Sequence, residues 1–136
     1  MSDSASTRPS RYRVCLLSEA RPTDAGIAYR HGDESRLLEW SRVERALAAE
    51  VGEPEGVRTI VFDLLVEIND CSCVAYRFDA DPAEGAMEVA RAIATFVPAD
   101  RTDASIKSMA ADGIPSCSYP DLESLAQANL ETICPS

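Results

Sequence analysis

Apolar and polar positions along this chain recur with a period near two in its first half and near 3.6 in its second, the signatures of strands and helices respectively. Tyr12, Val14 and Leu16 alternate with Arg13, Cys15 and Leu17, which predicts a strand over 12–17 partly buried on both faces. After the turn-rich break from Arg21 to Gly26, Ile27–Arg30 reads as a second short strand. His31, Gly32 and Asp33 close it, with glycine supplying the positive φ of a tight hairpin, and Leu37–Trp40 is its partner. Residues 40–51 stay open between two readings. Trp40, Val43, Leu47 and Val51 follow helical spacing, whereas Val43, Leu47, Ala49 and Val51 share one face of a strand. The alanines Ala46, Ala48 and Ala49 favour helix only slightly.

Arg58–Ile68 is a β-branched and aliphatic run broken only by Asp63 and Glu67, as a central strand would be. Strict alternation places Ile60, Phe62, Leu64, Val66 and Ile68 on one apolar face and Val61, Asp63, Leu65 and Glu67 on the other. A carboxylate in such a strand must face water or find a partner, and Arg77 on the returning strand Val74–Asp79 is the partner expected for Asp63. The predicted core is Ile60, Phe62, Leu64, Val66, Tyr76 and Phe78, sealed by a helix from Pro82 to Val97. Asp81 supplies a capping oxygen, Pro82 the first helical residue and Glu84 a charge near the positive end of the dipole. Ala86, Val89, Ala90, Ile93, Phe96 and Val97 form the stripe, and Pro98 stops the helix. A short helix over 103–112 follows, with Ile106, Met109 and Ala110 inward and Gly113 as its cap. A last helix opens at Ser118–Asp121 and carries Leu122, Leu125, Ala126, Leu130 and Ile133 on one side. The fold class expected is α+β: an antiparallel sheet or partly open barrel, then an amphipathic helix and short C-terminal helices.

A length of 136 residues suits one domain, expected over 12–136 behind a loose, polar tail of residues 1–11. The net charge of −10 repels phosphate backbones and anionic lipid surfaces, which argues against nucleic acid as a partner. No apolar run approaches the length of a membrane span, and the first residues hold no signal-peptide core. Five cysteines, an odd number, fit free thiols and a cytoplasmic location. Neither of the glycine patterns that cradle phosphates occurs, so a nucleotide-dependent enzyme is disfavoured.

Cys71-Ser-Cys73 is the sharpest chemical feature, because two thiolates at a turn suit a soft metal or a redox pair. Cys15, Cys117, Cys134 and His31 are scattered singly, without the spacing that completes a tetrahedral zinc site, so a pair of small thiols beside a turn is the simpler reading. His31 has no nucleophile motif near it and reads as a solvated hairpin residue. Asp79, Asp81 and Glu84 lie close enough for a hard cation, yet the helix start accounts for the last two and the register of a calcium loop is missing. No catalytic residue, cofactor or metal is therefore assigned. Trp40 reads as core, with Val43 continuing its buried pattern, and is also, with Arg30 and Arg36, the candidate for an interaction surface.

The hairpin and Trp-x-x-Val step of GIAYRHGDESRLLEWSRV, the strands TIVFDLLVE and CVAYRFDAD, and the helix DPAEGAMEVARAIATFV together resemble the pleckstrin-homology-like fold of small bacterial domains, over about residues 12–97. The resemblance implies a roll plugged by a helix, with residues 98–136 as a helical extension. The lipid-binding members use clustered Lys and Arg, whereas Lys107 is the sole lysine here and Asp33, Glu34 and Glu39 crowd the first hairpin beside Arg30 and Arg36. A protein or peptide ligand, including a basic one, is then expected rather than a phosphoinositide. The leading expectation is a non-enzymatic interaction domain working through a surface groove, by strand addition at a sheet edge or by self-association as a homo-oligomer. The alternative is a small thiol-dependent redox or metal protein centred on Cys71 and Cys73. An acidic mimic of nucleic acid ranks last, because the carboxylates are spread from Glu19 to Glu131.

Overall fold

The computed structural model describes residues 11–52, 58–69, 72–80 and 85–133. In chain order the elements are β1 (Arg11–Leu16), β2 (Ser18–Pro22), β3 (Gly26–His31), β4 (Glu34–Glu39), β5 (Arg45–Gly52), β6 (Arg58–Asn69) and β7 (Ser72–Ala80). Then come α1 (Ala86–Phe96), α2 (Ala104–Asp112), the two-residue β8 (Ser118–Tyr119) and α3 (Leu122–Ile133).

The class is α+β. β5, β6 and β7 pair antiparallel in sequence, while β1 adds parallel outside β7 and β8 parallel outside β5, giving the order β1-β7-β6-β5-β8. The expected antiparallel sheet is present as β5, β6 and β7, the parallel edge strands make the sheet mixed, and among the described residues it stays open. Hairpin connections enforce antiparallel pairing only between neighbours in sequence, and both edge strands arrive by long connections. β2, β3 and β4 form a separate antiparallel sheet. Its β3–β4 loop is the predicted Gly32-Asp33 pair, with His31 opposite Glu34 and Gly32 at φ +64°.

β5 settles residues 40–51. Trp40–Arg42 is a single 3-10 turn, and the chain then runs extended with Ala46, Leu47, Ala48 and Ala49 all buried. Burial on both faces produces a continuous apolar run that periodicity alone reads ambiguously.

The large sheet carries a core on each face. On one, Ile60, Phe62, Leu64, Val66 and Phe78 join Ile27, Leu38 and Trp40 from the small sheet and its exit, Ala86, Val89, Ala90, Ile93 and Val97 from α1 and just beyond it, and Ile106 and Met109 from α2. Of the Ile60–Ile68 face expected under the amphipathic helix, the part from Ile60 to Val66 is sealed by it. On the other face, Val61 and Leu65 pack with Leu47, Ala49, Val51, Cys73, Ala75 and Leu125 of α3. Ile68 belongs to this second cluster rather than the first. Glu67 adopts φ +53° at a register shift between Val66 and Asn69, and such a bulge inverts the alternation beyond it. Tyr76, expected in the core, is only half buried, edge-on to Tyr29 at 6.1 Å between ring centroids.

Each helix has a readable start or stop. The predicted cap and first turn at Asp81, Pro82 and Glu84 lie outside the described residues; the described helix begins at Ala86, where the Gly85 carbonyl accepts from the Val89 N–H. Phe96, assigned to the buried stripe, instead lies on the rim and stacks on Trp40 at 5.5 Å. α2 matches its prediction: Asp103 accepts from the Ser105 N–H at 2.9 Å, Gly113 closes it at φ +76°, and Ile106 and Met109 point inward. α3 is capped by Asp121, which accepts from the Ser124 N–H at 2.8 Å. Its buried residues are Leu125 and Asn129, so the expected stripe is rotated, and Leu122 is left outside. No helix among the described residues is long and apolar enough to cross a membrane.

Candidate binding cleft and open sheet edge

A sheet edge presents backbone donors and acceptors that must be satisfied by something, and the two edges of the large sheet are treated differently. On β5 the outward groups are closed off one by one. The Ala46 carbonyl accepts from the Asp103 N–H at 2.9 Å, the Ala48 N–H donates to Ser105 Oγ at 3.0 Å, and the Glu50 N–H donates to the Cys117 carbonyl at 3.0 Å. Asp103 is further tied to β5 by Arg45 at 2.6 Å. The first turn of α2 and the short β8 therefore cover this edge along most of its length.

β1 has no such cover among the described residues. Its inner side pairs with β7, where the Leu17 N–H donates to the Arg77 carbonyl at 2.9 Å. Alternation back from Leu17 turns the backbone groups of Cys15 toward β7 and those of Val14 and Leu16 away from it. The side chains of Val14 and Leu16 are also exposed, at 39% and 72%. The chain then leaves the sheet abruptly through Leu17, which is buried in the α1-side core, and Glu19, at φ +52°.

The open edge ends at a cleft of about 470 Å³, within the range of small-ligand and side-chain pockets. Its apolar lining includes Leu16, Leu17, Val51, Val61, Phe78 and Leu122. Leu122, 47% exposed in the first turn of α3, lines the same space as Leu16 and is a second unburied leucine. Asp79 and Asp121 add two exposed carboxylates to the lining. The Ser124 N–H holds the Asp121 carboxyl below its ordinary value, so this residue is an anion at neutral pH.

Arg77, the one basic side chain among the described residues lining the cleft, is already committed behind it. Its Nε donates to Asp63 Oδ1 at 2.7 Å and its Nη2 to Asp63 Oδ2 at 2.9 Å, a two-point pair in which Asp63 is fully buried. Asn129 Nδ2 donates to Asp63 Oδ2 at 2.8 Å and to the Tyr12 hydroxyl at 2.9 Å, and Arg77 Nη2 reaches the same hydroxyl at 3.2 Å. β1, β6, β7 and α3 are joined here by one polar network. Burial opposes the charge on Arg77, but the bonds to Asp63 and its field outweigh that and raise the guanidinium above its ordinary value. Burial, and next the Asp63 charge, raise Tyr12. The expected Asp63–Arg77 partnership is present, though in the interior and not at an exposed face. Asn129 and Tyr12 were not anticipated. The sequence signal was a polar residue four positions after Leu125 on an apolar helix stripe.

The other residues singled out from the sequence do not converge. Trp40 is buried, its indole N–H donating to the Thr23 carbonyl at 2.9 Å. Arg30 opposes Ser35 and Arg36 opposes Tyr29, so the two arginines point to opposite faces of the β3–β4 hairpin and form no surface with Trp40. Arg36 is taken up by Glu34 at 2.7 Å. Cys73 is buried, and desolvation, then the Asp63 and Glu44 charges, push its thiol up to about 11. It is therefore protonated and a poor nucleophile at neutral pH. Cys71, Cys134, Asp81 and Glu84 lie outside the described residues, and His31 and Asp79 are exposed. Among the described residues no three of His, Cys, Asp or Glu are grouped to hold a metal. No family model, curated protein or solved structure matches this chain.

Proposed function

We propose that this chain is a non-enzymatic interaction domain that binds an extended segment of another protein by strand addition along β1. The observation that carries this is the contrast between the two sheet edges: Ala46, Ala48 and Glu50 on β5 all have partners, whereas Val14 and Leu16 on β1 turn outward a backbone with no partner among the described residues, together with exposed apolar side chains, beside a cleft. Main-chain pairing supplies affinity in such complexes, and pockets for alternate side chains supply selectivity. The Asp63–Arg77–Asn129–Tyr12 network ties β1 and α3 to the central strands behind the edge, which limits the reordering that binding requires.

Support comes from this edge and not from the pleckstrin-homology-like resemblance, which stays a proposal of distant kinship alongside it. A cytoplasmic setting belongs to the same reading and would keep Cys15, Cys73 and Cys117 as the free thiols they are here. The thiol-enzyme alternative loses ground because Cys73 is held protonated.

The test pairs capture with hydrogen exchange. A photo-crosslinker at Leu16 should trap a partner from cell extract that the Val14→Pro protein does not trap, and the trapped partner should slow exchange of the Val14 and Leu16 amides. Slowed exchange at β4 or α1 instead, with β1 unchanged, would overturn the proposal.

A further inference from the structure

The cleft at the end of β1 combines three features that select among ligands. Its apolar walls, Leu16, Leu17, Val51, Val61, Phe78 and Leu122, suit a hydrophobic side chain. The carboxylates of Asp79 and Asp121 share its lining, and both residues are exposed. The one basic residue among the described lining residues, Arg77, is paired at two points with a fully buried carboxylate, so its charge is compensated from within. The local charge offered to a ligand is negative, on a chain whose net charge is −10. An anionic ligand would therefore meet two carboxylates, and among the described lining residues the one cation is already paired.

We infer that the segment received on β1 carries a large apolar residue for the cleft and a lysine or arginine two positions along, where it meets Asp79 and Asp121. The spacing follows from strand geometry. Residues two apart lie on the same face and about 6.6 Å from each other, so an anchor seated between Leu16 and Leu122 brings its same-face neighbour to the cleft margin. A basic residue there replaces repulsion between two like charges with attraction, and the long-range field of the acidic chain speeds encounter. This inference rests on the strand-addition reading and names the chemistry of its partner.

The experiment measures binding of short fluorescein-labelled extended peptides to the full chain by anisotropy, at low and high salt. Three probes differ only at the anchor and the basic position: Leu-Thr-Arg, Leu-Thr-Glu and Ala-Thr-Arg within one neutral, β-branched background. The first should bind most tightly. The Glu probe should be weaker by about two- to fivefold at low salt, the scale of one exposed ion pair, and the gap should shrink at high salt. The Ala probe should be weaker at both. Asp79→Asn combined with Asp121→Asn should abolish the Arg-over-Glu preference while retaining the α3 cap, since asparagine caps as well as aspartate.

Equal binding of the Arg and Glu probes, or a preference that survives the double substitution, overturns the inference. If binding is then still lost in Val14→Pro, strand addition stands without its charge rule. If no probe binds at about 1 mM, or if the chain alone is a dimer that Val14→Pro dissociates, both the inference and the reading beneath it fall.

Discussion

Asp63 and Arg77 sit directly opposite each other on β6 and β7, and their side chains meet as a fork, at 2.7 and 2.9 Å, on the face of the sheet that α3 covers. Placement in register explains the geometry: opposed residues in an antiparallel pair share a face at close range. Asn129 and the Tyr12 hydroxyl complete the shell around the pair, so a charge taken out of water is met by several partners.

Removing one member should be much worse than replacing both. Asp63→Ala or Arg77→Ala strands an uncompensated buried charge and should lower unfolding free energy by about 3–5 kcal/mol. Asp63→Leu with Arg77→Met should recover most of that loss in urea denaturation. Additive losses in the double variant would show that the two side chains do not act as a unit.

Asn129→Leu removes the donor that joins α3 to Asp63 and Tyr12. The expected cost is about 1–3 kcal/mol, with amides of α3 exchanging faster while those of β6 stay protected. A uniform loss of protection across the sheet would place Asn129 in a global role instead.

Glu67 holds φ +53°, a region costing a residue with a side chain roughly 1–2 kcal/mol. Glu67→Gly removes that strain, forfeits the exposed Arg42 pair at 3.2 Å, which is worth little, and adds some chain entropy to the unfolded state. The net expectation is stabilisation of up to about 1 kcal/mol, read as a higher midpoint in thermal melts. Glu67→Val should lower it.

Alkaline pH should destabilise the fold through Cys73. Its folded thiol titrates at about 11, above the ordinary value of 9.0, so between those two pH values the unfolded chain has lost a proton that the folded chain keeps. The unfolded state then binds fewer protons, and stability falls as pH rises across that window. The raised Tyr12 phenol adds a further loss above pH 10.0. Cys73→Ala should flatten the lower part of this decline. At pH 8 a thiol reagent should modify Cys15 and Cys117 well before Cys73, which is the more deeply buried.

On β1, proline separates the two backbone edges. Val14→Pro deletes an N–H that points outward and should be tolerated within about 1 kcal/mol, whereas Cys15→Pro removes a bond to β7 and should cost clearly more. Equal costs, measured by chemical denaturation, would mean that the outward edge of β1 is engaged.

The amino-acid order by itself determined what depends on neighbours in the chain. The β3–β4 hairpin with Gly32, the β6–β7 hairpin, α2 between Asp103 and Gly113, and the inward stripe of α1 from Ala86 to Ile93 all follow from short-range periodicity and capping. The Asp63–Arg77 pair was legible for the same reason, since one hairpin register brings both residues together. Tertiary structure decided the rest. β5 became a strand because Asp103, Ser105 and Cys117, far along the chain, occupy its outer edge. Ile68 changed faces at a bulge that no alternation rule foresees. Asn129 was drawn inward by a carboxylate 66 positions away. The cleft forms where β1 and β7 end and α3 begins, because the partners that close or leave open a sheet edge are set by long-range packing, to which local residue preferences are blind.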